Sequence, residues 1–530
     1  MVNKRLQVWL PVLFALVMTV GMWLGYKLRE DTGGVSGFLK NARSNSLQEI
    51  IGLIQDKYVD TVGVDSLKED AINEMLARLD PHSVYIPARE LQEVNEDLQG
   101  NFQGIGVEFQ IFSDTVNIVS VIANGPSFKA GVQVGDKIIK VNDTIPVAGV
   151  KIKGADIKRL LRGEGGSKVK ITVLRNDKLN TLTIERGTIP LPSVDVSYMM
   201  EPGRGFIHIS KFSETTYEEF MVALEGLQKQ NLLQLIIDLR GNGGGILQEA
   251  ADIADEFLDG DKMIVYTKGG HVPPVEYHCK RNGLFEKGKL TVLVDETSAS
   301  ASEVLAGALQ DWDRAAIIGR RTFGKGLVQQ QFNLSDGGAL RLTVARYYTP
   351  LGRNIQKPYE SNNREAYEEE LLTRFHNGEV VHGDTSAPAG QPFKTKSGRI
   401  VYGGGGITPD VFVPFDTTSQ PEPVIQLYIR GTLNNFIYIY YMQNKTYLQT
   451  LKTPMDLCKQ FHAGEREWEL LTSFAKRDSI DLSTVSAKTK EELLQKFPAQ
   501  LARQIWRSEG YYEVSNESDP MIKKAAAAMQ

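Results

Sequence analysis

Apolar positions recur at helical spacing from Ser46 to about Asn95, as in Ile50, Ile51, Ile54 and Tyr58, until the turn Leu79-Asp80-Pro81-His82-Ser83 interrupts them. Between about 98 and 188 the pattern changes to short alternating runs punctuated by glycine. This predicts strands, one helix near 154–162 and a closing pair of strands, an order that fits a small, partly open β-barrel. Beyond 190, Leu232–Leu239 reads as a buried strand that ends in Arg240-Gly241-Asn242-Gly243-Gly244-Gly245 and leads into a helix to about Leu258. Leu290–Asp295 is a second strand, followed by a turn and a helix from about Ala299 to Trp312, and Ala315–Gly319 is a third. Strands alternating with helices predict a layered α/β domain. An acidic, polar insert (361–396) precedes a glycine-rich return at Tyr402–Val413, and the last hundred residues read as mostly polar helices. There is no internal repeat.

Length sharpens this outline, because 530 residues are too many for one core and suggest about three domains. The N-terminal run Leu6–Tyr26 has no charged residue, and as a helix its 21 positions span about 30 Å, the thickness of a bilayer core. A cleaved signal peptide is the rival, but bulky Trp23 two places before Gly25 fits cleavage poorly, and no cysteine follows for a lipoprotein. The run is therefore expected to be an uncleaved anchor. Lys4 and Arg5 balance Lys27 and Arg29, so only the short N-terminal side favours an extracytoplasmic, periplasmic chain. A net charge of −5 gives no sign of a nucleic-acid partner. The two cysteines, Cys279 and Cys458, exclude a disulfide scaffold and a cysteine-rich metal site, and leave open one bridge or two free thiols.

Candidate chemistry gathers at two places. In Asp295-Glu296-Thr297-Ser298-Ala299-Ser300-Ala301-Ser302-Glu303, small residues join a strand to a helix start, whose unpaired N–H groups can hold an oxyanion. Taken alone, this segment reads better as a capping run with Ser300 or Ser302 as N-cap. In Gly319-Arg320-Arg321-Thr322-Phe323-Gly324-Lys325-Gly326, glycines flank a lysine that can be carried into an apolar site and act as a neutral amine. The same residues match Gly-x-x-x-x-Gly-Lys, but Gly326 replaces the hydroxyl residue that a nucleotide's Mg²⁺ needs, and a strand follows. A surface lysine in a turn is the remaining alternative. There is no Gly-x-Ser-x-Gly elbow, and none of the seven histidines has a catalytic or metal-binding spacing.

Together these residues resemble the carboxyl-terminal processing (tail-specific) proteases. The resemblance rests on Ser298-Ala-Ser300-Ala-Ser-Glu303, Phe323-Gly-Lys325-Gly with Gln329, Leu79-Asp80-Pro81-His82-Ser83, Asp238-Leu-Arg240-Gly-Asn-Gly-Gly, Thr349-Pro-Leu-Gly-Arg353 and Gly406-Ile-Thr-Pro-Asp410, and covers about 46–415. It implies Ser300 as nucleophile and Lys325, 25 positions later, as base. Gln329 would orient the amine, and the N–H groups of Gly244 and Ala301 would hold the oxyanion. Asp311 matches an acidic family position of structural character. Residues 98–188 resemble a PDZ domain, with Gly104-Ile105-Gly106-Val107 as carboxylate-binding loop and Gly131–Asp136 as the turn before its next strand. Arg162 resembles a PDZ arginine that contacts the protease core in the active enzyme.

The expected organisation is an anchor (1–30), a linker (31–45), a helical region (46–97), the PDZ domain (98–188), a Ser/Lys protease core of βαβ type (189–415) and a helical region (416–530). The expected function is a serine endopeptidase that selects extracytoplasmic proteins with free, apolar C-termini. It uses no metal or cofactor, binds no nucleic acid and can form homo-oligomers. The rival is a PDZ scaffold with an inactive core.

Overall fold

The computed structural model describes residues 15–23, 46–360, 363–383, 390–415 and 421–529. The chain divides into two units between Leu76 and Ala77. In the first, the helical periodicity gives helix Ser46–Lys57 and all but the last residue of helix Val64–Ala77, and residues 15–23 are also helical. The rest of the apolar run Leu6–Tyr26, and the linker 31–45, lie outside the described residues. Among the described residues no helix is long and apolar enough to cross a membrane.

In the second unit a six-stranded sheet runs in the order Val194–Glu201, Arg204–Ile209, Gln234–Asp238, Lys289–Val294, Ala316–Gly319, Val411–Phe412. The first pair is antiparallel and the others are parallel. Parallel strands covered on both faces read as unbroken apolar runs. Here Leu235, Ile237, Val292 and Val294 join helices Thr216–Gln228, Leu247–Asp255 and Ala301–Asp311 in one core. Ile236 and Leu293 turn to the other face, where Met521, Ile522 and Ala525 of the C-terminal helix Pro520–Ala528 cover them. Burying each such leucine or isoleucine stabilises the fold by roughly 1.5–3 kcal/mol relative to exposure.

A second sheet places Ala339–Tyr348 between Leu327–Asn333 on one side and Val84–Ile86 and Met263–Lys268 on the other. Its register sets Gln329 opposite Thr343 and Gln331 opposite Arg341. Because side chains alternate along a strand, these four share one face of the hairpin.

Residues 107–185 form a five-strand path, Val107–Phe112, Thr115–Val121, Lys137–Val141, Lys168–Arg175 and Lys178–Glu185, with helix Gly154–Leu161 packed on it through Ile157 and Leu161. Val107–Phe112 is the edge strand at the N-terminal end of this path, and Lys178–Glu185 is the other edge. In the turn before Lys137–Val141, Asp136 accepts from the Gln133 N–H and pairs with Arg175.

The C-terminal residues, read from sequence as mostly polar helices, build a core of their own around Phe436, Tyr440, Leu457, Trp468, Leu471 and Phe497. The region is mixed rather than polar throughout: helix Thr432–Leu448 carries the unbroken apolar run Phe436–Met442, whereas Ala487–Asn516 spaces Leu493, Phe497 and Leu501 among mostly polar residues. This region docks on the edge hairpin: Gln504 Nε2 donates to the Val119 carbonyl at 3.0 Å and Arg507 pairs with Glu108. Arg507 has φ 66° and breaks the helix Ala487–Asn516 in two. Cys279 and Cys458 are both free thiols.

Candidate active site

Strand Lys289–Val294 ends at Asp295, whose carboxylate accepts from the N–H groups of Thr297 and Ser298 and so folds the turn back on itself. Ser298 Oγ donates to the Leu239 carbonyl at 2.8 Å. Ser302 Oγ and the Ala299 N–H donate to the Asn242 carbonyl at 2.9 and 3.0 Å. These three bonds explain the small, hydroxyl-rich sequence, since they tie the turn to the glycine loop of the neighbouring strand. Ser300 then heads helix Ala301–Asp311 with φ 56° and ψ −114°, a conformation costly for a residue with a Cβ. The capping reading and the nucleophile reading thus fall on the same residue.

Gly244 lies against this turn. A Cβ on it would sit 2.7 Å from Ser300 Cβ and 2.9 Å from the Ala301 nitrogen, and its φ is 97°. Only glycine can be there. Its N–H donates to Asn242 Oδ1 at 2.8 Å, and Asn242 Nδ2 donates to the Ile209 carbonyl at 2.8 Å. Gly244 and Ala301 are therefore brought together, with the Gly244 donor held by Asn242 in this conformation.

Lys325 precedes strand Leu327–Asn333, and its loop is held almost entirely through main-chain N–H groups. Thr322 N–H donates to the Ile407 carbonyl, Phe323 N–H to the Ser298 carbonyl, and Gly326 N–H to Gln356 Oε1. Gly324 and Lys325 N–H groups go to Glu303. A nucleotide-binding loop needs these donors for phosphate, and here protein acceptors occupy them.

Glu303, fully buried, is the residue whose role the motif did not reveal. Its Oε2 accepts from the N–H groups of Ser300 at 2.8 Å and Lys325 at 2.9 Å, while Oε1 accepts from Gly324 N–H and Thr322 Oγ1. Burial pushes its carboxyl pKa up, and these four hydrogen bonds oppose that rise. Buried Tyr347 adds a second staple, its hydroxyl 3.0 Å from the Ser300 carbonyl and 2.6 Å from that of Lys325.

Ser300 and Lys325 line one cavity of about 620 Å³ with Gly243–Gly245, Ala301, Gln329, Gln331 and Arg341. The Lys325 amine donates to Gln329 Oε1 at 3.3 Å. Gln329 Nε2 donates to the His82 carbonyl, which fixes the amide with its oxygen toward the lysine. Asp80 holds that carbonyl in place by accepting from the N–H groups of His82 and Ser83. The Lys325 pKa is lowered, first by burial and then by the positive charge of Arg341, against the opposing carboxylates of Glu303 and Asp80.

The insert 361–396 is not a loose appendage in its described part. Helix Arg364–His376 sends Arg374 to the carbonyls of Arg321 and Thr322, immediately behind the lysine loop. Tyr367 hydrogen-bonds His82 Nε2 at 2.8 Å, and burial with the nearby Lys325 charge lowers the His82 pKa to about 4. Asp311 pairs with Arg353 at 2.5 Å and accepts from the Leu351 N–H, away from the cavity lining.

In the other candidate site, Gly104 ends strand Asn101–Gly104, and the carbonyls of Ile105 and Gly106 accept from the N–H groups of Ser127 and Ile122 at 2.9 and 3.1 Å. Val107 begins the edge strand. Arg162 lies beside Gly104, pairs with Glu96 at 2.9 Å and sits over the Phe102 ring at 4.4 Å.

A layered α/β core with this strand–serine–helix turn, joined to the barrel-like module, defines a serine-type peptidase with a PDZ domain. Residues 203–361 match peptidase family S41 and residues 103–185 match the PDZ domain family. The chain is 36% identical over 318 residues to a carboxy-terminal-processing protease of Bartonella bacilliformis, covering 58% of this chain and 71% of that one. It is 34% identical over 340 residues to the carboxy-terminal processing protease CtpA of Bacillus subtilis, covering 61% and 69%. The chain belongs to the carboxy-terminal processing serine proteases of family S41.

Proposed function

We propose that this peptidase works through a Ser300–Lys325 dyad oriented by Gln329, with the N–H groups of Ala301 and Gly244 as oxyanion donors. The observation that carries this reading is the shared clamp: one buried carboxylate, Glu303, fixes the main chain of both residues at the wall of one cavity. Neutral Lys325 takes the Ser300 Oγ proton as oxygen attacks the peptide carbonyl, and returns a proton to the leaving amine. Gln329 Oε1 holds one amine hydrogen, which turns the nitrogen lone pair away from itself. Gly244 N–H exchanges Asn242 for the oxyanion as the tetrahedral intermediate forms. Substitution of Ser300 by Ala and of Lys325 by Ala, each with an intact fold by circular dichroism, tests the dyad through loss of peptide cleavage.

Substrates are chosen, on this reading, by a free C-terminus read at Gly104–Val107. The edge position of Val107–Phe112 supports it, because a peptide can add there as a further strand. Arg162 links that loop to Glu96 on the helix Ala88–Gln99 and so communicates occupancy toward the core. Anchoring through Leu6–Tyr26, with the catalytic part outside the cytoplasm, is the localisation we propose from the uncharged run. Membrane fractionation and accessibility to added protease in spheroplasts, where the outer membrane is opened, test it.

A further inference from the structure

Two cations on the wall of the catalytic cavity, Lys325 and Arg341, have no carboxylate partner there among the described residues, whereas Lys211 is paired with Asp97 at 2.7 Å. Lys325 sheds its charge to act. A guanidinium cannot. Arg341 is half-buried, and among the described residues its side chain makes one hydrogen bond, a long one from Nη2 to Gln331 Oε1 at 3.4 Å. It shares the cavity-facing side of the hairpin with Gln329 and Gln331, so it points at the same space as the reacting groups. Placing a cation there without a partner costs stability, and burial alone already depresses its pKa. The planar fork of donors left over matches an oxyanion gripped by two parallel N–H bonds, and in a peptide substrate that group is a carboxylate.

We propose that Arg341 is a carboxylate-binding subsite of the catalytic cavity, taking an acidic side chain or the terminal carboxylate of the peptide close to the bond that is cut. It rests on the Ser300–Lys325 reading of the cavity. With Lys325 neutral and Lys211 held by Asp97, a bound carboxylate meets one net positive charge in a half-desolvated pocket. An amide of the same shape meets the same donors without the charge.

The test uses full-length chain and peptides matched in pairs, Glu against Gln at each position around the scissile bond, and free acid against amide at the terminus. The assays run above the Lys325 titration, so that the base is neutral in every variant. The wild type is expected to favour the acid of at least one pair by about tenfold or more in kcat/KM, from the strength of hydrogen bonds to charged groups. The side-chain pairs and the terminal pair tell the two sources of carboxylate apart. Arg341→Gln is expected to bring a side-chain preference near unity and to cut a terminal preference back to what the Gly104–Val107 loop alone supplies, and Arg341→Lys, which keeps charge but loses the fork, to retain part of the difference. Peptide affinities on the Ser300→Ala chain separate this idea from the dyad, because the acid preference persists in Kd even where turnover is absent. A wild type indifferent to every pair, or a preference unchanged in Arg341→Gln, overturns the subsite.

Discussion

The main-chain N–H groups of Ser300 and Lys325 donate to the same oxygen, Glu303 Oε2, at 2.8 and 2.9 Å. Residues 25 positions apart are thereby set in one frame without either side chain being used. Both residues line the cavity, and the clamp holds Ser300 in a backbone conformation that would otherwise relax. Replacing Glu303 by Gln presents an amide that can accept on one side only. Loss of acceptors for buried N–H groups costs about 1–3 kcal/mol each. Glu303→Gln is therefore expected to lower Tm by several degrees and kcat by about tenfold or more, with KM moving less. Thermal melts and steady-state kinetics on the same preparation check it. A variant with wild-type kcat and a lowered Tm would reduce Glu303 to a packing role.

With Lys325 as the proposed base, activity and stability both become functions of its titration. Its pKa is depressed in the fold, so the unfolded chain binds more protons between the folded and unfolded values. Unfolding free energy then rises with pH across that window, and the penalty for burying the ammonium is full below the folded pKa. The kcat/KM profile is expected to rise through the depressed pKa, and Arg341→Gln to shift that rise to higher pH by removing the nearby positive charge. Lys325→Met should be more stable than wild type at neutral pH while inactive. Denaturant melts across pH check the sign.

The insert helix tests a different part of the account. Arg374 is buried and bonds the carbonyls of Arg321 and Thr322 as well as Glu379 at 3.0 Å. Arg374→Ala strands these partners, a loss of about 3–5 kcal/mol for breaking a buried pair. A fall in Tm accompanied by a fall in kcat is expected, since the lysine loop loses its backing. An unchanged kcat would leave the insert as a stabilising brace alone.

Much of this was legible before any coordinates. The runs Leu232–Leu239 and Leu290–Asp295 read as strands of a layered α/β domain, and the Gly-Lys-Gly of 324–326 as an unusual lysine. Local pattern could not say what Glu303 does, because its four partners come from Ser300 and from a loop some twenty residues on. Asn242 is hidden in the same way, its oxygen serving Gly244 and its amide a strand elsewhere. Arg341 reads as one polar position on an alternating strand, and only the hairpin register turns it toward the cavity. The core of the C-terminal helices is signalled by the run Phe436–Met442, which a reading of the whole region as mostly polar passes over; its other members, such as Leu493, Phe497 and Leu501, stand among mostly polar residues.

For the PDZ loop, the expectation is a charge-dependent C-terminal contact. Glycines at 104 and 106 let the main chain approach an anion, and Gly106 has φ 73°, where a side chain would be strained. On the full-length Ser300→Ala chain, a peptide with a free apolar terminus should bind about tenfold or more tighter than its amide. Equal affinities by calorimetry would leave the module as a spacer.

The central claim is that Lys325 activates Ser300, and the most direct measurement is the site and rate of acylation by a serine-reactive fluorophosphonate. Intact mass and peptide mapping of the full-length chain should find one adduct, on Ser300, and none in Ser300→Ala. In folded Lys325→Ala the labelling rate near neutral pH should fall by about a hundredfold or more, the range that general-base assistance supplies. Labelling of another residue, or of Ser300 at an undiminished rate without Lys325, would contradict the dyad.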